Sequence, residues 1–214
     1  MSFTPLSSKQ TSELTGQLIA QGTIVDPKSA KGRLLKAAAR LFRDNGFERT
    51  TVRELAKEVG IQSGSLFHHY ASKQEILRNV VEQTILLNTE LMQLSISQNQ
   101  TSQDKLQALI LCELQSILID TGNEMSVLVY EWRGLNEHNQ AQILALRDKY
   151  EQLWLDILNQ AYQEGLITLQ PNILRRLLTG AISWSVNWYN PKGDLSLEEL
   201  AQMTLSLALK GKNN

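Results

Sequence analysis

The sequence predicts an all-α protein, and three observations carry that expectation. Apolar residues recur every three or four positions along most of the chain, the repeat of one helical face. Only four prolines interrupt the 214 residues. Ser/Thr-x-x-Glu runs stand just ahead of apolar-periodic segments at Thr51–Glu54, Ser72–Glu75 and Ser196–Glu199. Each reads as a capping box, in which a hydroxyl and a carboxylate occupy N–H groups that the first helical turn leaves without carbonyl partners.

In chain order, residues 1–28 are polar, contain Pro5, Gly16, Gly22 and Pro27, and read as a flexible N-terminal arm with room for a short helix. A first firm helix is expected from about Ser29 to Asp44, with Leu34, Ala38, Leu41 and Phe42 on one face and Asn45-Gly46 as its stop. Thr51 caps a second helix that sets Val52, Leu55, Ala56 and Val59 at i, i+3, i+4 and i+7, and Gly60 ends it. Ser63 is placed to cap a third, about Gly64 to Tyr70. Ser72 opens a long fourth helix striped with Ile76, Leu77, Val80, Thr84 and Ile85, which breaks in the polar run 95–103. A fifth covers about 104–120 and a sixth about 123–134, divided at Thr121-Gly122. The seventh, about Glu137 to Glu164, carries Ile143, Leu146, Tyr150, Leu153, Trp154, Ile157, Leu158 and Ala161, with Gly165 as its stop. Pro171 suits the first turn of an eighth helix to about 189, and Ser196 caps a ninth to about Lys210. The division is three short helices in 29–75, then six longer ones in 76–214.

Charge is divided in nearly the same way. Residues 1–80 hold 12 Lys and Arg against 7 Asp and Glu, whereas residues 81–214 hold 9 against 15. A basic first third on an acidic remainder points to an anion-binding module attached to a body with another task. The start, MSFTPLSSKQ, lacks the basic and apolar runs of a secretory signal. The longest uncharged stretch, Leu177–Pro191, is fifteen residues, too short and too polar to span a bilayer. The single cysteine, Cys112, allows no intramolecular disulfide and sits in an apolar run as a small hydrophobe would. A cytoplasmic protein without membrane contact is expected.

The densest chemistry lies in GIQSGSLFHHYASK, residues 60–73. His68 and His69 are helix neighbours whose side chains diverge by about 100°, so they cannot chelate one ion. His138 is remote, and no Cys-x-x-Cys, His-Glu-x-x-His or Glu-x-x-His occurs. Phosphate-loop, dinucleotide and Gly-x-Ser-x-Gly signatures are absent as well. No catalytic residue, metal or cofactor is expected, and the chain reads as a non-enzyme. The stretch fits a helix-turn-helix, two short helices joined by a tight turn at Gly60. Leu66 and Tyr70 would pack onto Val52, Leu55 and Val59, leaving Ser63, Gly64, Ser65, Phe67, His68 and His69 outward. Small polar residues let the backbone approach base edges, and the imidazoles and Lys73 can meet bases or phosphates. Thr50 or Thr51 can offer a hydroxyl to another phosphate, beside the free N–H groups of the second helix.

TTVRELAKEVGIQSGSLFHHYASKQEIL, preceded by LLKAAARLFRDNGFERTTV, resembles the DNA-binding segment of the TetR family of bacterial transcriptional regulators over about residues 32–80. The resemblance implies three helices for double-stranded operator DNA and about six for effector binding and homodimerisation, in keeping with the nine expected. It implies phosphate contacts at Thr50, Thr51 and Lys73 and recognition contacts at Ser63, Gly64, Ser65, His68 and His69. Phe67 stands where the family usually has Tyr, so it offers a thymine methyl contact instead of a hydroxyl. Tyr70 stands where the family usually has a core Phe, and brings a hydroxyl that needs a partner.

Residues 129–166 and the SWSVNWYNPKGDLSLEEL segment are similar to a branch that regulates fatty-acid and sterol-ring catabolism, whose effectors are acyl-CoA thioesters. Met92, Met125, Tyr130, Trp132, Tyr150 and Trp154 are then candidate pocket residues, and Arg133, Arg147, Lys149, Arg175 and Arg176 candidate partners for a polyanionic head. Aromatics at helical spacing also serve as plain core. Leu177, Ala181, Trp184, Trp188 and Leu205 are candidate dimer contacts, since the eighth helix is apolar on several sides. A regulator of drug efflux or of small aromatic compounds, with another apolar ligand, is the alternative, and a helical-bundle enzyme or carrier without DNA binding a remote one.

Overall fold

The structure, a computed structural model, describes residues 3–120, 122, 124, 127 and 131–210. Nine α-helices and no strand occur among the described residues: α1 (Ser8–Ala20), α2 (Ala30–Asn45), α3 (Val52–Glu58), α4 (Ser63–Leu66), α5 (Lys73–Ser97), α6 (Ser102–Gln115), α7 (Glu137–Gln163), α8 (Pro171–Trp184) and α9 (Leu197–Ala208). A π-turn, Ser116–Asp120, follows α6, and 3₁₀ turns occur at Trp132–Gly134 and Ser185–Asn187. The helix expected at about 123–134 falls largely outside the described residues. Its last three, Trp132–Gly134, are one of the 3₁₀ turns.

The caps form as the sequence spacing requires. Thr51 and Glu54 exchange both hydrogen bonds of a capping box at the head of α3, and Ser196 and Glu199 do so at α9. At α5, Ser72 Oγ accepts from the Glu75 N–H at 3.1 Å, while the Glu75 carboxylate reaches the Ala71 N–H. Gly46 and Gly60 adopt φ of 83° and 72°, the left-handed region that lets the chain leave α2 and α3 sharply.

Packing divides the chain into two compact units. One comprises Glu13–Leu87 and Thr121–Arg147, the other Met1–Ser12, Asn88–Asp120 and Asp148–Asn214. This differs from the 29–75 and 76–214 division expected from the sequence, because α5 runs unbroken from Lys73 to Ser97 and its first half packs with the short helices. In the first unit, Leu34, Ala38 and Phe42 of α2, Leu55 of α3, Leu66 and Tyr70 are all buried. Phe47 closes this core edge-to-face on Phe42, with ring centroids 5.3 Å apart. In the second unit, α6 is buried almost all round and packs against α8 and α9. A helix apolar on every side belongs at the centre of a bundle.

The N-terminal segment is not a plain arm. Residues 8–20 form a thirteen-residue helix, and Leu18 and Ile24 are buried. In the second unit the Thr4 N–H donates to Asn99 Oδ1, and Asn99 Nδ2 donates to the Thr4 carbonyl, both at 3.0 Å. Weak periodicity concealed this order, because few apolar side chains and one side-chain clasp suffice to hold the segment.

Candidate nucleic-acid interface

The turn after α3 brings α4 onto the core through two anchors. Leu66 is fully buried and Tyr70 is 3% exposed, so the residues between and before them face outward. The α-helix itself is one turn long. Beyond it the Phe67, His68 and His69 N–H groups donate to carbonyls three residues back, Gly64, Ser65 and Leu66. The last turn is therefore 3₁₀-like, tighter than the expected helix to Tyr70. Ser63 is its first helical residue, not its cap. Gln62 precedes it in extended conformation without a side-chain cap bond.

Gly64, Phe67 and His68 are exposed, and Ser63, Ser65 and His69 half-buried. Gly64, Phe67 and His68 thus make the outward face, with Ser63, Ser65 and His69 on its flanks. No group of three or more His, Cys, Asp and Glu that could hold a metal ion occurs among the described residues.

Three expected phosphate contacts are placed differently. Thr50 is fully buried, and its hydroxyl donates to the Gly46 carbonyl at 2.9 Å, so it closes the loop after α2. Lys73 Nζ donates to the carbonyls of Phe47 at 2.8 Å, Thr50 at 3.0 Å and Glu48 at 3.3 Å, and lies 4.3 Å from the Phe47 ring centroid. Its three N–H donors are thereby engaged, and it locks the start of α5 to the α2–α3 loop. Thr51 is exposed, but its hydroxyl serves the α3 cap with Glu54. Exposed cations that the sequence reading passed over flank this pair, Arg49 before it and Arg53 after it. Their signal was their spacing around the helix start within the basic third of the chain.

The expected effector residues are divided between the two units. Trp132 is half-buried and Arg147 stacks 5.1 Å from its ring centroid, while Arg133 is exposed. In the second unit, Tyr150, Trp154 and Arg175 come together, but as a buried charge cluster. Arg175 donates to Glu113 at 3.1 Å and to both oxygens of Glu151 at 2.9 and 3.1 Å, and lies 4.2 Å from the Trp154 ring centroid. Burial pushes the Glu113 carboxyl above the usual carboxylate range, and Arg175 pulls back against that. Arg175 is thus committed to two carboxylates inside the bundle and does not face an incoming phosphate. Met92 is buried core, Arg176 is exposed, and Lys149 pairs with Glu90 at 3.1 Å. Met125 and Tyr130 lie outside the described residues.

Of the expected dimer contacts, Leu177, Ala181, Trp184 and Trp188 are exposed, Trp184 by 67%. Leu205 is fully buried and belongs to the core of its own unit. Met203 and Leu207 are the exposed large apolar residues of α9, Leu207 by 83%.

Residues 34–80 match the family model for bacterial regulatory proteins of the tetR family. Residues 99–212, more than half of the chain, match that for the tetracyclin repressor-like C-terminal domain. The chain belongs to the TetR family. It is 30% identical over 198 residues to the HTH-type transcriptional repressor KstR2 of Mycolicibacterium smegmatis, covering 90% of this chain and 95% of that one. The structure of superantigen pfit is 49% identical with a TM-score of 0.81, over 94% of this chain and 100% of that chain. The TetR-like fold also matches AibR in complex with isovaleryl coenzyme A and operator DNA, with a TM-score of 0.76 at 24% identity, over 84% of this chain and 98% of that chain. No helix among the described residues is long and apolar enough to cross a membrane.

Proposed function

We propose that this TetR-family chain acts as a homodimeric repressor whose 63–69 turn reads operator DNA, and that an acyl-CoA thioester releases it. The observation that carries the reading is the outward face at Ser63–His69, anchored from behind by buried Leu66 and Tyr70. Such a face brings backbone and imidazoles within reach of base edges in a major groove. Arg49 and Arg53 supply phosphate contacts beside it, in place of Thr50 and Lys73.

Dimerisation is supported by the exposed apolar side chains of α8 and α9, Ile173, Leu177, Trp184, Met203 and Leu207. A pair of recognition turns reaches successive major grooves only when held about 34–36 Å apart. An effector that binds a state with a different spacing lowers DNA affinity by shifting the population. AibR, which shares the fold and is solved with isovaleryl coenzyme A and operator DNA, supports this effector class. A gel shift on DNA upstream of the chain's own gene, titrated with isovaleryl-CoA and longer acyl-CoAs, tests it. Release at micromolar thioester is expected; a complex indifferent to every acyl-CoA would refute the effector class.

A further inference from the structure

The unit containing α2, α3 and α4 holds a half-open cavity of about 120 Å³. Its floor is apolar and buried, made by Ile24, Leu35 and Val80, and Lys36, Leu87 and Glu124 stand at its less buried margin. Two polar side chains of the wall are already engaged. Thr84 Oγ1 donates to the Val80 carbonyl at 2.7 Å, and Gln83 Oε1 accepts from the Val25 N–H. What the cavity offers an occupant is therefore carbon surface. The 24–27 segment that builds one wall precedes the family match, which begins at residue 34. It also approaches α2 very closely. A Cβ at Gly32 would lie 2.1 Å from the Asp26 carbonyl oxygen, so only glycine admits this path.

Charge on the neighbouring surface tells what kind of molecule fits. Lys36 borders both the cavity and a groove along the outer side of α2 that includes Arg33 and Arg40. Arg40 is paired with Glu58, and Arg33 gives one N–H to the Lys28 carbonyl at 2.7 Å. Lys36 and the other Arg33 donors thus make the groove attractive to an anionic head. We propose that the cavity takes a short aliphatic acyl chain whose anionic head lies on Lys36 and Arg33. An apolar cavity of roughly 150 Å³ admits benzene, so this one suits about four to six carbons. Burial pushes the Glu124 carboxyl up, against the opposing pull of Lys36 and Arg43.

A free carboxylate and a CoA thioester share this chemistry, and only the thioester source rests on the effector reading above. The position has a mechanical consequence. The cavity lies between α2, which carries α3 and α4, and α5, whose start Lys73 ties to the α2–α3 loop. A chain wedged there strains the DNA-reading face and weakens operator binding.

Calorimetric titration of the full chain with hexanoate, hexanoyl-CoA and CoA tests the assignment. Wild type is expected to bind both acyl compounds, with CoA alone at least ~10-fold weaker. Leu87→Trp, which fills the cavity from a half-buried position, should weaken both acyl compounds by ~10-fold or more, and Lys36→Gln by ~3-fold. Val25→Phe repeats the block from another wall should Leu87→Trp melt early. Hexanoyl-CoA binding that both blocking variants leave intact would overturn the cavity and leave the effector class standing. Hexanoate binding that they abolish, with no response to any thioester, would support the cavity and refute the effector class. Equal binding of CoA and hexanoyl-CoA, or no binding of either acyl compound, would overturn the cavity.

Discussion

Tyr70 places an aromatic ring where the core needs one and a hydroxyl where it does not. Its oxygen is buried without a hydrogen-bond partner, and burial pushes the phenol up to about 12. Tyr70→Phe should therefore stabilise the chain by about 1 kcal/mol, seen as a higher urea midpoint at unchanged slope. The pH dependence has a fixed sign. A phenol harder to ionise when folded costs stability as pH rises past its unfolded value, near 10, up to about 12, and the Phe variant escapes that loss. Lys73 gives the opposite case, a polar group fully satisfied from within. Lys73→Met strands three carbonyls and should cost about 2 kcal/mol of stability. It should leave the salt dependence of DNA binding unchanged, whereas loss of a true phosphate contact would reduce the slope by about 1. The outward set at Ser63–His69 was legible in the sequence because it follows from local helical spacing against Leu66 and Tyr70. Thr50 and Lys73 were not, since Lys73 reaches carbonyls 23 to 26 positions earlier in the chain.

Helices were legible to the degree that their ends carry local chemistry. The boxes at Thr51 and Ser196 fix α3 and α9, and Gly46 and Gly165 stop α2 and α7 with positive φ. Where an end depends on tertiary packing, the sequence overran: α4 tightens after Leu66, and α8 gives way to a 3₁₀ turn after Trp184. The Arg175 cluster shows the same limit. Its carboxylates come from α6 and α7, 62 and 24 positions away, so the sequence read an isolated cation. Arg175→Met leaves Glu113 buried without its cation, and should cost about 3–5 kcal/mol. Because burial favours the protonated Glu113, the variant should lose more stability at pH 8 than at pH 5, measured by thermal unfolding at both.

For the whole molecule, the apolar side chains left outside on α8 and α9 are the residues that a second copy would cover. Trp184→Glu with Leu177→Glu should shift the chain from dimer to monomer in sedimentation velocity, without lowering its helix content by circular dichroism. An unchanged dimer would place the interface elsewhere. The monomer should also bind operator DNA at least ~10-fold more weakly, since half-sites one duplex turn apart are no longer engaged together.

The most direct test of the central claim is the affinity of the chain for its operator duplex, measured by fluorescence anisotropy across a salt series, for wild type and for His68→Ala with His69→Ala. With Arg49 and Arg53 of each copy on phosphates, wild-type affinity should fall by roughly 10²-fold between about 50 and 200 mM salt. The double variant should bind about 10- to 100-fold more weakly at every salt concentration with the same slope, as base contacts require. A wild-type chain that binds no duplex, or a double variant that matches wild type throughout, would contradict the account.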